Sequence, residues 1–271
     1  MSKLQSLNFD NKILLSVNRI KRWYQHWQGE VFISFSGGKY STVLLHMVRS
    51  IYPGIPAVFV DTGIEYPEVV EYVKTVPDVV WLKPEKSFKE IVEEYGYPVV
   101  SGRVSRNVKR IREGKPGNLP VAWNYLLNAP FKISDQCCYF LKSGVLRKYQ
   151  RETGWGELAG RRIGERGDRL RRDCAGWMSK QTVLNPLAFW GSEDIWNYLK
   201  TKEIRYPRTY EEGETRSVCM FCLYGRAGSR FERLRVTHPE IWSRAMTNLN
   251  LATVLNYTHG QQMVLIKGME D

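Results

Sequence analysis

Cysteine, histidine and long apolar runs are all scarce in this chain, and each scarcity narrows the reading. Only five cysteines occur, and four of them fall into two tight pairs, Cys137-Cys138 and Cys219-Met220-Phe221-Cys222. In a reducing compartment such pairs read as metal ligands or redox groups, with disulfide pairing as the alternative. There is no apolar run of about 18 residues, which excludes a membrane-spanning helix. His46, His238 and His259 show no metal-ligand spacing and receive no role. Internal repeats and low-complexity linkers are absent as well. The opening Met1-Ser2-Lys3-Leu4-Gln5 leads into an amphipathic stretch and not into a short apolar signal core, so the expectation is a cytoplasmic protein.

Acidic residues are outnumbered. Lys and Arg total 40 against 28 Asp and Glu, a balance of +12 that favours anionic partners: nucleotides, sulfate esters or nucleic acid. Two segments concentrate this charge. Arg103 to Lys115 holds Arg103, Arg106, Lys109, Arg110, Arg112 and Lys115, and Arg161 to Arg172 holds six arginines. Each is read as part of a nucleic-acid face or as a solvated helix face or loop. With 271 residues, 43% of them hydrophobic, the chain can bury one large α/β core, and the tryptophans are assigned to it.

Periodicity supplies the order of elements. Ile13, Leu14, Val17, Ile20, Trp23 and Trp27 mark an amphipathic helix over residues 8–27. Short apolar runs at 30–36, 57–60 and 79–82 read as strands, and 41–52, 67–76 and 87–95 as helices between and after them. This alternation predicts a parallel sheet with right-handed crossovers. Gly114-Lys115-Pro116-Gly117-Asn118 is a loop. Ser134-Asp135 is placed as the cap of a helix running through residues 139–142, and residues 155–160 as a further strand. Ser192 caps a helix that carries acids in its first turn, and two more helices follow Cys222. The expected organisation is an N-terminal helix over 1–29, a nucleotide-binding domain over 30–225 and a helical C-terminal segment over 226–271 packed on it.

Ser34-Phe35-Ser36-Gly37-Gly38-Lys39-Tyr40-Ser41-Thr42 joins the first strand to a helix. Its glycines let backbone approach an anion closely, and the helix that follows presents unpaired N–H groups and a positive dipole end. Ser36, Lys39, Ser41 and Thr42 add side-chain donors. The spacing is not that of a Walker loop. An ordinary glycine turn is the plain alternative.

At this point the sequence resembles a known family. Ser36-Gly37-Gly38-Lys39-Tyr40-Ser41 is similar to the pyrophosphate (PP) loop of the adenine nucleotide α-hydrolase-like superfamily, and more narrowly of the phosphoadenylyl-sulfate (PAPS) reductase family. Val60-Asp61-Thr62-Gly63-Ile64-Glu65-Tyr66-Pro67-Glu68 resembles the family's DTG-x-x-(F/Y)-PE segment. The stretch Gly160 to Arg169 resembles its G-x-R-x-x-E-x-x-x-R loop, and Asn185-Pro186-Leu187 with Asp194-Ile195-Trp196-Asn197-Tyr198-Leu199 its PL…ED(V/I)W-x-YL stretch. The resemblance covers roughly Val31 to Gly225. It implies a doubly wound α/β fold with the nucleotide at Ser34, Ser36, Gly37, Gly38, Lys39, Ser41, Thr42, Asp61, Thr62, Gly63, Gly160 and Arg162. Lys39, Arg162 and Arg169 are then the catalytic candidates, and Asp61 is placed for a ribose or Mg²⁺ contact.

Four thiolates suit either zinc or an iron–sulfur cluster. The adjacent pair Cys137-Cys138 is a poor half-site for zinc, and a metal-free thiol set is the remaining alternative. The pattern Cys-Cys…Cys-x-x-Cys resembles the [4Fe–4S] site of the adenylyl-sulfate (APS) reductase branch, which implies Cys137, Cys138, Cys219 and Cys222 as ligands. Cys174 is left over and read as a partly buried free thiol.

Two departures from the family matter. Tyr40 stands where pyrophosphate-loop enzymes carry an acid, and no cysteine follows Cys222, where sulfonucleotide reductases place a nucleophilic thiolate. The expected function is therefore ATP-dependent adenylylation and sulfur transfer to an acceptor such as nucleic acid, served by a sulfur or electron donor protein. An APS/PAPS reductase is the first alternative, and a nucleotide-binding protein silenced by Tyr40 the second.

Overall fold

The computed structural model describes residues 2–161, 182–215, 219–225 and 227–259. They form two compact units interleaved along the chain. One holds Met1–Asp61, Pro67–Leu82 and Leu146–Ser217; the other holds Thr62–Tyr66, Lys83–Val145 and Val218–Asp271.

The first unit is built on β1 (Val31–Ser34), β2 (Ala57–Val60), β3 (Val79–Leu82), β4 (Gly156–Ala159) and β5 (Val183–Leu184). These strands are parallel throughout and run β3-β2-β1-β4-β5 across the sheet. All four residues of β2 and of β4 are buried, as expected for a parallel sheet covered on both faces. This explains why the strands read as unbroken apolar runs and not as alternating ones. The order reverses direction at β1, which puts the switch point of a doubly wound sheet between β1 and β4. Helices α1 (Phe9–His26), α2 (Lys39–Arg49), α3 (Pro67–Lys74), α6 (Gly144–Thr153) and α7 (Ser192–Thr201) accompany it.

Helix α1 begins where Asn8 accepts a hydrogen bond from the Asn11 N–H at 2.9 Å. It is anchored through polar groups as well as its apolar face, where Ile20 and Trp23 are fully buried. Ser16, also buried, donates to the Pro186 carbonyl at 3.2 Å and accepts from the Trp190 indole at 3.0 Å. Lys12 meets Asp194 at 2.7 Å, and the same carboxylate accepts from the Gly191 N–H at 2.6 Å. The cap of α7 therefore differs from the sequence expectation. Gly191 is the N-cap, Ser192 lies inside the helix, and Asp194 supplies the capping oxygen.

The second unit contains α4 (Phe88–Glu94), α5 (Gly102–Arg112), a 3-10 helix (Val121–Asn128), a π-helical turn (Tyr139–Ser143), α8 (Ala227–Thr237), α9 (Pro239–Asn248) and α10 (Leu251–His259). Its core includes Val99, Val108, Leu126, Phe231, Leu234, Val254 and Leu255. Three helices follow Cys222 among the described residues, where the sequence suggested two. Pro239 opens α9 at its first turn, and Asn250 adopts a left-handed φ of 49° that ends α9 before α10 begins. The helix expected at residues 139–142 is a wider π turn that continues into α6. Such turns occur often beside functional sites.

Asp194 joins two elements and holds a nearly buried ammonium. Replacing it with alanine should lower stability by about 2–4 kcal/mol, and with asparagine by roughly half that. Urea denaturation measures both; a loss below about 0.5 kcal/mol for Asp194→Ala would show that the pair is not a structural anchor.

Candidate functional site

Two constellations emerge, one in each unit. In the first, β1 delivers the chain into the loop Phe35 to Gly38, and α2 starts at Lys39. Gly37 has φ +69°, and a Cβ there would lie 2.8 Å from Val69 Cγ1 and 2.9 Å from Val73 Cγ2. Only glycine combines that conformation with that close packing. Ser41, buried, braces the loop from within: its hydroxyl donates to the Gly38 carbonyl at 2.8 Å and accepts from the Ser36 N–H at 3.2 Å. The Ser36 hydroxyl, exposed, accepts from the Gly38 N–H at 3.4 Å and lies 3.1 Å from Ser41 Oγ. Ser41 is thereby a staple that fixes the loop.

Gly160 follows β4 and comes against the start of α2. A Cβ on it would sit 2.8 Å from the Tyr40 carbonyl oxygen and 3.0 Å from the Ser41 nitrogen. The structure thus brings Ser34, Ser36, Gly37, Gly38, Lys39, Ser41, Thr42 and Gly160 to the carboxyl ends of β1 and β4. Asp61 lies just past β2, its N–H donating to the Leu82 carbonyl at 2.8 Å. Lys39 is buried, with its ammonium 4.5 Å from the Trp196 ring centroid, 5.1 Å from that of Tyr210 and 5.9 Å from that of Tyr40. The sequence reading missed this aromatic surround, because Trp196 and Tyr210 are distant from Lys39 along the chain. Arg162, Arg169 and Cys174 lie outside the described residues. Arg161, at the head of the same segment, pairs with buried Glu157 at 3.0 Å.

The second constellation holds four cysteines, none of them in a disulfide. Cys137 is buried, Cys138 is exposed, and Cys219 and Cys222 are half-buried. The Cys222 N–H donates to the Cys219 carbonyl at 3.1 Å, closing the Cys-x-x-Cys turn. That turn is held from three sides. Met220 N–H donates to the Ile64 carbonyl at 2.9 Å, and the Arg230 guanidinium donates to the Cys222 carbonyl. Val100, at a left-handed φ of 61° that β-branched residues rarely adopt, accepts from the Gly225 N–H at 2.9 Å and donates to the Leu223 carbonyl at 3.1 Å.

Electrostatics links the sulfurs. Burial pushes the Cys137 thiol up, and the Cys219, Cys138 and Cys222 sulfurs push it further. Burial also raises Cys219, opposed by the Lys142 ammonium that hydrogen-bonds to its sulfur. For Lys142 itself, burial works against the charge, yet Cys219, Glu65 and Cys138 outweigh it and the pKa rises. Lys142 reaches Glu65 at 3.4 Å, and Glu65 accepts from Thr62 N–H at 3.0 Å and from Thr62 Oγ1 at 2.7 and 2.8 Å. Thr62, expected at a nucleotide, therefore orients Glu65 in the cysteine-bearing unit, beside Gly63 at φ +74°. Among the described residues no group of three or more His, Cys, Asp or Glu side chains is arranged to hold a single metal ion. Four cysteine sulfurs are the ligand set of an iron–sulfur cluster, a centre of several irons and not of one ion.

The first basic segment is largely structural. Arg112 donates to the carbonyls of Leu126, Leu127, Ala129 and Phe131 at 2.6–3.0 Å and so caps the 3-10 helix. Arg106 pairs with Asp135 at 2.7 Å, Arg110 bonds the Pro116 carbonyl at 2.7 Å, and Lys115 pairs with Glu113 at 2.7 Å.

The phosphoadenosine phosphosulfate reductase domain profile matches residues 30–234, most of the chain. The chain belongs to that family. Its relatives within and beyond the family include an uncharacterised protein of Methanocaldococcus jannaschii, 26% identical over 241 residues. That match covers 87% of this chain but only 44% of the relative, so the chain spans less than half of its length. A phosphoadenosine 5'-phosphosulfate reductase of Xylella fastidiosa is 25% identical over 214 residues, covering 79% of this chain and 81% of that protein. The crystal structure of phosphoadenylyl-sulfate reductase from Candida auris, a phosphate complex, overlaps with a TM-score of 0.48 at 17% identity, covering 79% of this chain and 96% of that one. The family inferred from the motifs is thus the family found. No helix among the described residues is long and apolar enough to cross a membrane.

Gly160 is the sharpest steric requirement of the loop in this family member. Gly160→Ala should lower stability by about 1–3 kcal/mol, since the neighbour is backbone and cannot swing away. Calorimetry would register this as a fall of several degrees in Tm; an unchanged Tm would mean that the two backbones separate freely.

Proposed function

We propose that this protein is an iron–sulfur enzyme acting on an adenine nucleotide, with ATP-dependent adenylylation of an acceptor followed by sulfur transfer as its reaction. The observation that carries the reading is the braced glycine loop at the switch point between β1 and β4, where open α/β sheets bind ligands. The phosphates lie against Gly37, Gly38 and the N-terminus of α2, whose dipole and N–H groups favour negative charge. Lys39 neutralises the developing charge on pyrophosphate, and Arg162 and Arg169 clamp it through planar guanidinium forks. Asp61 takes the ribose or a Mg²⁺ ion. The acceptor nucleophile attacks the α-phosphorus, the bond to the β-phosphate oxygen breaks, and pyrophosphate leaves. A sulfur nucleophile from a cytoplasmic donor protein then displaces AMP. Nucleic acid is the acceptor class that matches the +12 balance.

Cys137, Cys138, Cys219 and Cys222 hold the [4Fe–4S] cluster in this reading. A cluster so held supplies redox-active, sulfur-binding iron. Lys142 places a positive charge beside the Cys219 sulfur, and Glu65, fixed by Thr62, holds that ammonium in place. A second reading, sulfonucleotide reduction, is favoured by the named Xylella relative and by its coverage of 79% of the chain.

Anaerobic preparation tests the metal half: iron near four per chain with broad visible absorption is expected, and serine in place of Cys137 or Cys219 should remove most of both. A colourless, iron-poor wild-type protein would end the cluster assignment. The nucleotide half is read separately. Pyrophosphate and AMP from ATP support adenylylation, whereas thioredoxin- or glutathione-dependent sulfite from APS or PAPS selects the reductase. Absence of binding to all three nucleotides would defeat both.

A further inference from the structure

The N-terminus of α2 is not bare. Its N-cap, Gly38, has no side chain to satisfy the first helical N–H groups. The first of them, on Lys39, donates to the Tyr210 hydroxyl at 2.9 Å. The ammonium of the same lysine rests over the rings of Trp196 and Tyr210 at 4.5 and 5.1 Å. Tyr210 closes a 3-10 turn, Arg208–Tyr210, whose buried Thr209 accepts from the Glu214 N–H at 3.0 Å. Trp196, Tyr206 and Tyr210 meet edge to face, with centroids 5.1, 5.5 and 6.2 Å apart. All these residues belong to the first unit. One tyrosine thus engages both the backbone donor and the side-chain cation that an anion at this loop would use.

We propose that Tyr210 occupies the phosphate seat of the loop, and that a nucleotide binds by displacing its hydroxyl from the Lys39 N–H and drawing the Lys39 ammonium off the Trp196 and Tyr210 rings. This rests on the adenine-nucleotide reading above. The exchange has a direction. A phosphate oxygen makes a charge-assisted bond, roughly twice as strong as that of a neutral hydroxyl, and it also sits at the positive end of the helix dipole. The ammonium likewise gains more from a phosphate than from aromatic faces. A neutral ligand obtains neither advantage, so the tyrosine discriminates by charge. Trp196 is the positioning residue: its ring holds the Lys39 ammonium at 4.5 Å. The closed arrangement weakens apparent affinity by the fraction of molecules that must open.

The test is binding of inorganic pyrophosphate and of ATP, followed by calorimetry, in the full chain. Tyr210→Phe keeps the ring and removes the hydroxyl, and should tighten both by about 3- to 10-fold. Trp196→Phe should tighten them by about 2- to 5-fold and abolish most of the change in tryptophan emission that pyrophosphate causes in the wild type. In the wild-type chain, needing no variant to fold, hydrogen exchange over residues 206–213 should quicken on adding pyrophosphate while that over 39–42 slows. Equal or weaker binding by Tyr210→Phe, or slower exchange over 206–213, overturns the proposal and makes Tyr210 a strut or part of the ligand's seat. If the wild type binds neither pyrophosphate nor any adenylate, the nucleotide reading fails too; if it binds them and Tyr210→Phe changes nothing, only the gate fails.

Discussion

The first unit depends on two backbones meeting where no side chain fits. β1 and β4 are hydrogen-bonded neighbours, and the segments leaving their carboxyl ends converge at the start of α2. Gly160 presses on the Tyr40 carbonyl, and Gly37 fits beneath Val69 and Val73. With side chains excluded there, the helix N-terminus, its N–H groups and its dipole stand at the reversal point of the sheet. Everything the loop does with charge follows from that placement: the serine staple that fixes its shape, the buried lysine, and the aromatic rings that receive its ammonium.

The cysteine unit solves a different problem, that of keeping like charges close together. Burial and the neighbouring sulfurs raise the Cys137 pKa, and Lys142 is the cation supplied by the protein itself. Lys142 leaves the backbone in a π turn immediately after the cysteine pair, so the same irregular element sets both the pair and the ammonium. Glu65 and Thr62 fix the other end of that charge network. Backbone contacts from Ile64 and Val100 and the Arg230 guanidinium then hold the distant Cys-x-x-Cys turn in register.

Much of this was legible beforehand. Strands β1 and β2 announced themselves as short apolar runs because a parallel sheet buries both faces of its inner strands, and β3, at the sheet edge, read the same way while staying part-exposed. Helix α1 showed its apolar spacing, and the glycine loop its register between strand and helix. Other features were not legible. The N-cap of α7 falls on Gly191, whose N–H the Asp194 carboxylate accepts. The basic stretch over 103–115 read either as an interaction face or as a solvated helix face; neither reading contained the four carbonyls, in and just after a 3-10 helix without periodic signature, to which Arg112 donates.

The sequence alone determined the family, the order of strand and helix, and the glycine loop between β1 and α2. These are properties of short segments, read from residue type and spacing. Tertiary structure alone decided that Ser41 braces the loop, that Thr62 bonds Glu65, and that Tyr210 reaches the Lys39 N–H from 171 positions away. Each of these depends on which partner a polar group finds after the chain has packed, and hydrogen bonds over such separations leave no trace in local spacing.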